Sequence, residues 1–293
     1  MSRRAGLAAL ALAAALLVLP LTALAADRLH ISWHPKRPHP GDVVRVHVRG
    51  APEAATLEGS LGPRTLVFFP YAGGHGAIVG VDLETKPGDQ PWRLAVLEPG
   101  REARSLTGTL KIHKRDFHVQ RLTLPPAMVD LDPDTERRAV SEGEQLTMLY
   151  RTVTPERLWR GPFVRPVAGT EAPTGFGARR VINGKPRAPH SGVDYSAPRG
   201  TPVVAANSGR VALVGDYFFP GRLVVLDHGL GVFTLYFHLD SVTVADGEAV
   251  DRGQILGTVG ATGRATGPHL HFGALIGAAR VDPAALLALD VKD

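Results

Sequence analysis

The chain of 293 residues contains no cysteine. That absence excludes disulfide frameworks, thiol nucleophiles, thiolate-bound zinc, iron–sulfur clusters and a lipidated N-terminal cysteine. Any metal must therefore be held by nitrogen and oxygen. Charge of one sign is also not concentrated. There are 33 basic and 28 acidic residues, a formal net charge of +5, and no long basic block. Nucleic-acid binding thus finds no support. Turn formers, by contrast, are abundant, with 33 Gly and 24 Pro making about a fifth of the chain. Such a proportion suits a turn-rich β protein better than a helical bundle. With 44% hydrophobic residues the chain can build real cores, and its length suggests roughly two domains.

The one long apolar run is N-terminal. Arg3 and Arg4 precede the run from Ala5 to Ala26, which is broken only by Pro20 and Thr22 and ends in Ala23-Leu24-Ala25. A basic start, an apolar stretch and a small-x-small ending read as a secretory signal peptide over residues 1–25. The alternative is a retained membrane anchor, since the run nearly suffices to span a bilayer. The expected mature protein is exported, with no stable membrane span after cleavage.

Residues 26–115 read as a β-rich accessory domain. Val44, Val46 and Val48 alternate with Arg45, His47 and Arg49, and Leu29, Ile31 and Trp33 alternate likewise. A period of two places each apolar set on one buried face. Pro-Gly-Asp turns at 40–42 and 87–89 lead into further strands. Short strands with regular turns suggest a small immunoglobulin-like sandwich. Residues 116–160 read as a partly helical linker, with Ser141-x-x-Glu144 as a candidate capping box. From 161 to 293 the chain is again mostly β. Strand candidates are 209–214, 223–227, 232–238, 255–259 and 269–276, a spacing that implies an antiparallel sheet.

Seven of the 12 histidines lie before residue 119 without shared context. Five lie in the C-terminal region, and four of those occupy tight motifs. In His190-Ser-Gly-Val-Asp194 the flanking Pro and Gly argue for extended backbone, where residues i and i+4 share a face. In His269-Leu-His271 a spacing of two again puts both imidazoles on one side. Tyr236-Phe-His238-Leu239 ends an apolar strand. His228, in Asp227-His-Gly229, reads as a turn residue, and the remaining aspartates and Glu248 as solvated.

Two imidazoles and one carboxylate form a suitable Zn²⁺ set, leaving a fourth position for water as catalytic sites do. The remaining imidazoles could then move protons or stabilise an oxyanion. Spacing alone does not decide which of His269 and His271 would be the ligand.

The run of motifs resembles the lysostaphin/LytM-type zinc metallopeptidases, exported enzymes that cut peptide bonds in bacterial peptidoglycan. The resemblance covers about residues 161–285. It rests on His190-x-x-x-Asp194, Ala197-Pro-x-Gly-Thr-Pro-Val-x-Ala205, Tyr236-x-His238-Leu, Gly253-Gln-x-x-Gly257, Gly260-x-Thr-Gly263 and Gly267-Pro-His-Leu-His-Phe272. It implies one zinc held by His190, Asp194 and His271, with His238 and His269 as catalytic non-ligand histidines. It further implies a compact antiparallel β-sheet with its site in a groove, walled by loops near 173–189, 215–222 and 261–268. The expected activity is zinc-dependent endopeptidase cleavage of peptidoglycan peptides, with stem-peptide crosslinks favoured, in the periplasm or secreted. The accessory domain could serve a protein partner. The competing reading is a non-catalytic regulator of other cell-wall hydrolases, against which the intact ligand set speaks.

Overall fold

The computed structural model describes residues 28–170 and 175–290. The proposed signal peptide, residues 1–25, lies outside the described residues. No helix among the described residues is long and apolar enough to cross a membrane.

The first part of the chain forms β1 (His30–His34), β2 (Val43–Arg49), β3 (Thr56–Leu61), β4 (Arg64–Leu66), β5 (Phe68–Tyr71), β6 (Gly74–Gly80), β7 (Gly88–Leu97) and β8 (Arg104–Ile112). They make two four-stranded sheets, ordered β1-β2-β6-β5 and β4-β3-β7-β8. Val44, Val46 and Val48 are fully buried, as their alternation requires. They pack against Leu94 and Val96 of β7 and Leu110 and Ile112 of β8, so the sheets face each other across one apolar layer. Gly41 and Gly88 at the two Pro-Gly-Asp turns have φ of +92° and +137°, values that favour glycine.

The chain then passes through β9 (Val119–Leu122) and a 3-10 turn (Pro126–Met128) into α1 (Pro133–Leu149). Asp132 caps this helix by accepting the N–H groups of Asp134 and Thr135, and Pro133 occupies its first turn. The capping box expected at Ser141 and Glu144 is therefore corrected. Both residues lie inside the helix, because Asp132-Pro133 supplies an earlier start, with a side-chain acceptor and a pre-set φ.

The remaining strands are β10 (Arg179–Ile182), β11 (Lys185–Pro186), β12 (Gly192–Ser196), β13 (Pro202–Val204), β14 (Gly209–Tyr217), β15 (Gly221–Asp227), β16 (Val232–Val242), β17 (Ala249–Val250), β18 (Ile255–Val259), β19 (His269–Ile276) and β20 (Ala279–Val281), followed by α2 (Pro283–Leu287). The main sheet runs β12-β19-β16-β15-β14-β17, with β18 joining β16 to β13 and β20 pairing β19. All its pairings are antiparallel. The chain is thus mostly β. A smaller sheet, β11-β10-β9, contains the parallel β9–β10 pair, so the connecting segment contributes a strand beside the main sheet.

Both faces of the main sheet are partly covered. On one, Tyr236, Leu270 and Phe272 share a core with Trp159 and with Val43, Phe69, Ile78 and Leu83 from the sandwich. On the other, Leu146, Leu149 and Tyr150 from the α1 region pack on Leu223, Val225, Phe233, Leu235 and Leu275. Polar contacts reinforce the seam with the sandwich. Arg280 donates to both carboxylate oxygens of Asp82, at 2.7 and 3.0 Å, and to Glu84 at 2.6 Å. Arg115 pairs with Asp282 at 2.7 Å, and the Asp282 N–H donates to the Gly41 carbonyl.

Hydrogen bonds to charged partners contribute about 1.5–3 kcal/mol each when partly buried. Asp82→Ala should therefore lower the unfolding free energy by about 2 kcal/mol. Urea denaturation checks this; an unchanged midpoint would mean the Arg280 cluster contributes nothing to stability.

Candidate metal centre

Strand register brings the chemically active side chains together. In the β12–β19 pair Asp194 lies opposite His271 and Ser196 opposite His269. On the other side of β19, Phe237 of β16 lies opposite His271. Directly opposed residues of an antiparallel pair project to the same face. Asp194, His269 and His271 therefore share one face, while Leu270 and Phe272 are buried on the other. His190 comes just before β12 and is tied down by its own backbone. Its N–H donates to the Ala178 carbonyl and its carbonyl accepts from Gly177 N–H.

The Gly192 between them has a steric role. A Cβ there would lie 2.4 Å from the Phe272 carbonyl oxygen and 2.7 Å from His271 Nε2. The His190–Asp194 spacing thus works because the middle residue has no side chain to hold β12 away from β19.

The resulting donor set is compact. His190 Nε2 lies 2.8 Å from His271 Nδ1, and Asp194 Oδ1 lies 3.1 and 3.0 Å from those two atoms. A tetrahedral zinc with bonds of about 2.0–2.1 Å separates its ligands by about 3.3 Å, so the three atoms lie within about half an ångström of that requirement. His190, Asp194 and His271 could together hold a metal ion. His269 Nε2 is 3.9 Å from Asp194 Oδ1, one shell further out. The His238 and His269 rings face each other with centroids 4.8 Å apart.

Backbone carbonyls set the tautomers. A carbonyl only accepts, so each imidazole nitrogen bonded to one must carry the proton. Nδ1 of His190 donates to Gly175 at 3.1 Å, that of His238 to Thr262 at 2.8 Å, and that of His269 to Gly267 at 2.8 Å. All three rings therefore turn an Nε2 lone pair toward the site, the arrangement that suits a ligand or a proton acceptor.

His238 reaches the site through an irregularity. Strict alternation along β16 would send it to the face opposite Phe237, yet both line the same cleft. His238 has φ of +65°, and the pairing of β16 shifts register on both sides of it. A left-handed residue at a bulge re-aims its side chain. The Thr262 loop that receives His238 is held close to the β14–β15 turn. A Cβ on Gly263, at φ +68°, would lie 2.3 Å from the Gly221 nitrogen.

Electrostatics keep the donors in the forms a metal needs. Burial opposes ionisation of Asp194, but its close contacts with His190 and His271 outweigh it and hold the carboxyl far below the usual range. Burial lowers His271 to about 4. Burial, helped by the neighbouring His271 and His269, lowers His238 to about 3. Arg180, on β10, lies 3.6 Å from Asp194 Oδ2 and 3.2 Å from Gln120 Oε1. The β9–β10 pairing that places this arginine has no local sequence signature.

The cleft above the donor set has a volume of about 390 Å³. Its walls come from the Arg180–Ser191 stretch, from Phe219 and Pro220, and from Arg264. These fall in or beside the three loops expected to wall the groove; residues 171–174 are outside the described residues.

His228, read as a turn residue, stands in the connection between β15 and β16 and is fully buried there, with Nδ1 donating to the Ser208 carbonyl at 2.8 Å and Nε2 2.7 Å from Thr234 Oγ1. Asp227 is likewise buried and accepts from Gly229 N–H and the Thr154 hydroxyl. The turn that looks polar in sequence is folded under residues 154–158, where Leu158 N–H donates to the His228 carbonyl. Among the described residues, none of the seven N-terminal histidines joins a group able to hold a metal.

Comparison with known proteins points the same way as the geometry. The profile of Peptidase family M23 matches residues 188–283. The crystal structure of a Pseudomonas aeruginosa protein assigned to peptidase M23 is 32% identical with a TM-score of 0.67, covering 86% of this chain and 95% of that one. Peptidoglycan DD-endopeptidase ShyB of Vibrio cholerae is 43% identical over 88 residues, 30% of this chain and 21% of that protein. DD-carboxypeptidase/endopeptidase Mpg of Neisseria meningitidis is 46% identical over 94 residues, 32% of this chain and 22% of that protein. The match thus spans about a fifth of the length of these curated relatives.

The buried His228 generates a stability prediction. Burial lowers its pKa to about 4, while in the unfolded chain it titrates near 6.5. Between those values the unfolded state binds the proton and the folded state does not, so stability is complete above pH 6.5 and declines as pH falls toward 4. The residue's share is at most about 3 kcal/mol. Urea denaturation at pH 7, 6 and 5 should show a shallower decline for His228→Gln than for the wild type. Parallel declines would reject the assignment.

Proposed function

Because this chain belongs to peptidase family M23, we propose that it is an exported zinc metalloendopeptidase hydrolysing peptide crosslinks in bacterial peptidoglycan. The observation that carries this reading is the convergence of His190 Nε2, Asp194 Oδ1 and His271 Nδ1, with His238 lining the cleft beside them and His269 next to both His238 and Asp194. In this reading those three residues hold the metal and the other two histidines act on the substrate and water. The names of the relatives from Vibrio cholerae and Neisseria meningitidis support peptidoglycan as the substrate. The basic and apolar N-terminal segment supports export. Residues 26–115 act as an accessory domain and 161–293 as the catalytic one.

A nitrogen and oxygen donor set of this kind suits zinc, which when bound supplies Lewis acidity to a carbonyl and water that ionises near pH 7. The protein's own contribution is positional. With Nδ1 tied to a carbonyl, the neutral form of either His269 or His238 offers its Nε2 lone pair to accept the proton released as water attacks the scissile carbonyl. The imidazolium so formed becomes a donor and can stabilise the oxyanion or pass its proton to the leaving amine. Hydrogen bonds to Thr262 and Gly267 hold both rings in place throughout. His271 is braced by Phe237, whose ring stacks on it at 5.3 Å with planes 15° apart. Arg180 lies on Asp194 Oδ2, so Oδ1, which faces His190 and His271, would be the oxygen available to hold a metal.

His271→Ala should lose bound zinc and all release of monomers from crosslinked muropeptides. His238→Ala should retain zinc while its rate falls about 10²–10⁴-fold, the usual size of a general acid–base contribution. Elemental analysis with mass spectrometry of the products checks both. Chelator-resistant cleavage would reject the metal mechanism, and a zinc-loaded protein releasing no product would favour the regulator reading.

A further inference from the structure

The cleft over the metal centre carries charge of one sign. Arg180, Arg187 and Arg264 all line it, whereas no Asp or Glu does among the described residues. Arg180 is already engaged by Asp194. The other two are not in any ion pair among the described residues. Arg187 donates to the Val129 carbonyl at 3.3 Å, and the Arg264 guanidinium lies over the Phe219 ring at 4.1 Å. Arg187 and Arg264 also reach the adjoining cavity, which Asp130 and Glu136 line; there Asp130 pairs with Lys185 at 2.8 Å and feels the charge of Arg187 without pairing to it.

Convergent cations repel, and they do so more strongly where hydration is reduced. Arg264 is half-buried, and its burial together with the charges of Arg180 and Arg187 disfavours its ionised form. The Val129 carbonyl and the Phe219 ring hold these side chains without neutralising their charge, so an anion placed between them gains Coulombic energy. The support is rigid. Arg264 N–H donates to the Phe219 carbonyl, and the close approach of Gly221 and Gly263 locks the two loops together. The guanidinium fork is therefore held ready, and its planar donors match a carboxylate better than any other peptide group.

The geometry points to a carboxylate subsite: Arg187 and Arg264 bind a free carboxylate of the peptide substrate, next to the bond presented to the metal centre. This deepens the proposed function and rests on it for the position of the scissile bond. The favoured substrate is an acidic peptide, and conversion of that carboxylate to an amide should weaken recognition.

The test uses the full mature chain and two synthetic crosslinked stem-peptide dimers, one with free side carboxylates and one with carboxamides. The wild type should cleave the acid form with kcat/KM about tenfold or more above the amide form, the worth of one charge-assisted contact. In Arg187→Gln/Arg264→Gln the ratio should collapse to within about twofold, with zinc content unchanged. Arg187 is exposed, so Arg187→Gln alone supplies a variant that leaves the core intact and should lower the ratio part of the way. Equal rates on the two peptides in the wild type, or a ratio unchanged in the double variant, would overturn the subsite. If neither peptide is cleaved, the peptidase reading fails separately. Fluorescence anisotropy with the same two peptides then measures the preference directly. Tighter binding of the acid form, abolished in the double variant, supports the subsite; equal binding overturns it.

Discussion

Everything at the candidate metal centre depends on how β19 is registered between β12 and β16. Because side chains alternate along a strand, a slip of one residue would exchange the two faces of β19. His269 and His271 would enter the core occupied by Leu270, Phe272 and Ala274, all essentially inaccessible to solvent. Leucine and phenylalanine would turn into the cleft. Burying two imidazoles without partners costs several kcal/mol, so the apolar reverse face enforces the polar front one. The same sheet face is covered by α1 over Leu223, Val225 and Phe233. The cleft lies beyond that covered stretch, where Phe237 and His271 line it.

Backbone carbonyls then complete what register begins. Gly175, Thr262 and Gly267 each take an Nδ1 proton, and thereby decide which nitrogen of three different rings faces the site. None of these acceptors is a side chain. The chemistry of the rings is therefore determined by the path of three loops, and those paths need glycine where loops touch or cross, as Gly221 and Gly263 do. The left-handed backbone at His238 belongs to the same economy of means: one strained residue lets consecutive positions, Phe237 and His238, serve a single cleft.

Much of this was legible in the sequence wherever a feature is local or periodic. The valine alternation at 44–48, the strand at 269–276 and the pairing of imidazoles at a spacing of two all follow from the two-residue repeat of extended chain. The proximity of His190 and Asp194 was also legible, although His190 stands before β12 and not within it. What escaped notice depends on distant contacts. His228 looked like a turn because Asp-His-Gly is a turn sequence, and nothing nearby announces that residues 154–158 close over it. The arginines of the cleft sit at 180, 187 and 264, a spacing without pattern, and they meet only because β10, the loop after β11 and the 261–268 loop converge. Two capping patterns lie within one charged stretch, and the earlier, proline-assisted one at Asp132-Pro133 starts the helix.

The order of strands in the main sheet has a consequence for assembly. β12 is an edge strand whose main-sheet neighbour is β19, and the two are separated by more than seventy residues of chain. A polypeptide emerging N-terminus first can complete the sandwich, α1 and the β14–β15–β16 meander while β12 still has no neighbour. Loop closure over such a span comes late in folding, and here it must wait for residues 269–276 to be made. Only then do His190 and Asp194 acquire the imidazole that completes their set. A chain interrupted earlier would lack both the strand that joins β12 to β16 and the imidazole that closes the three-donor set.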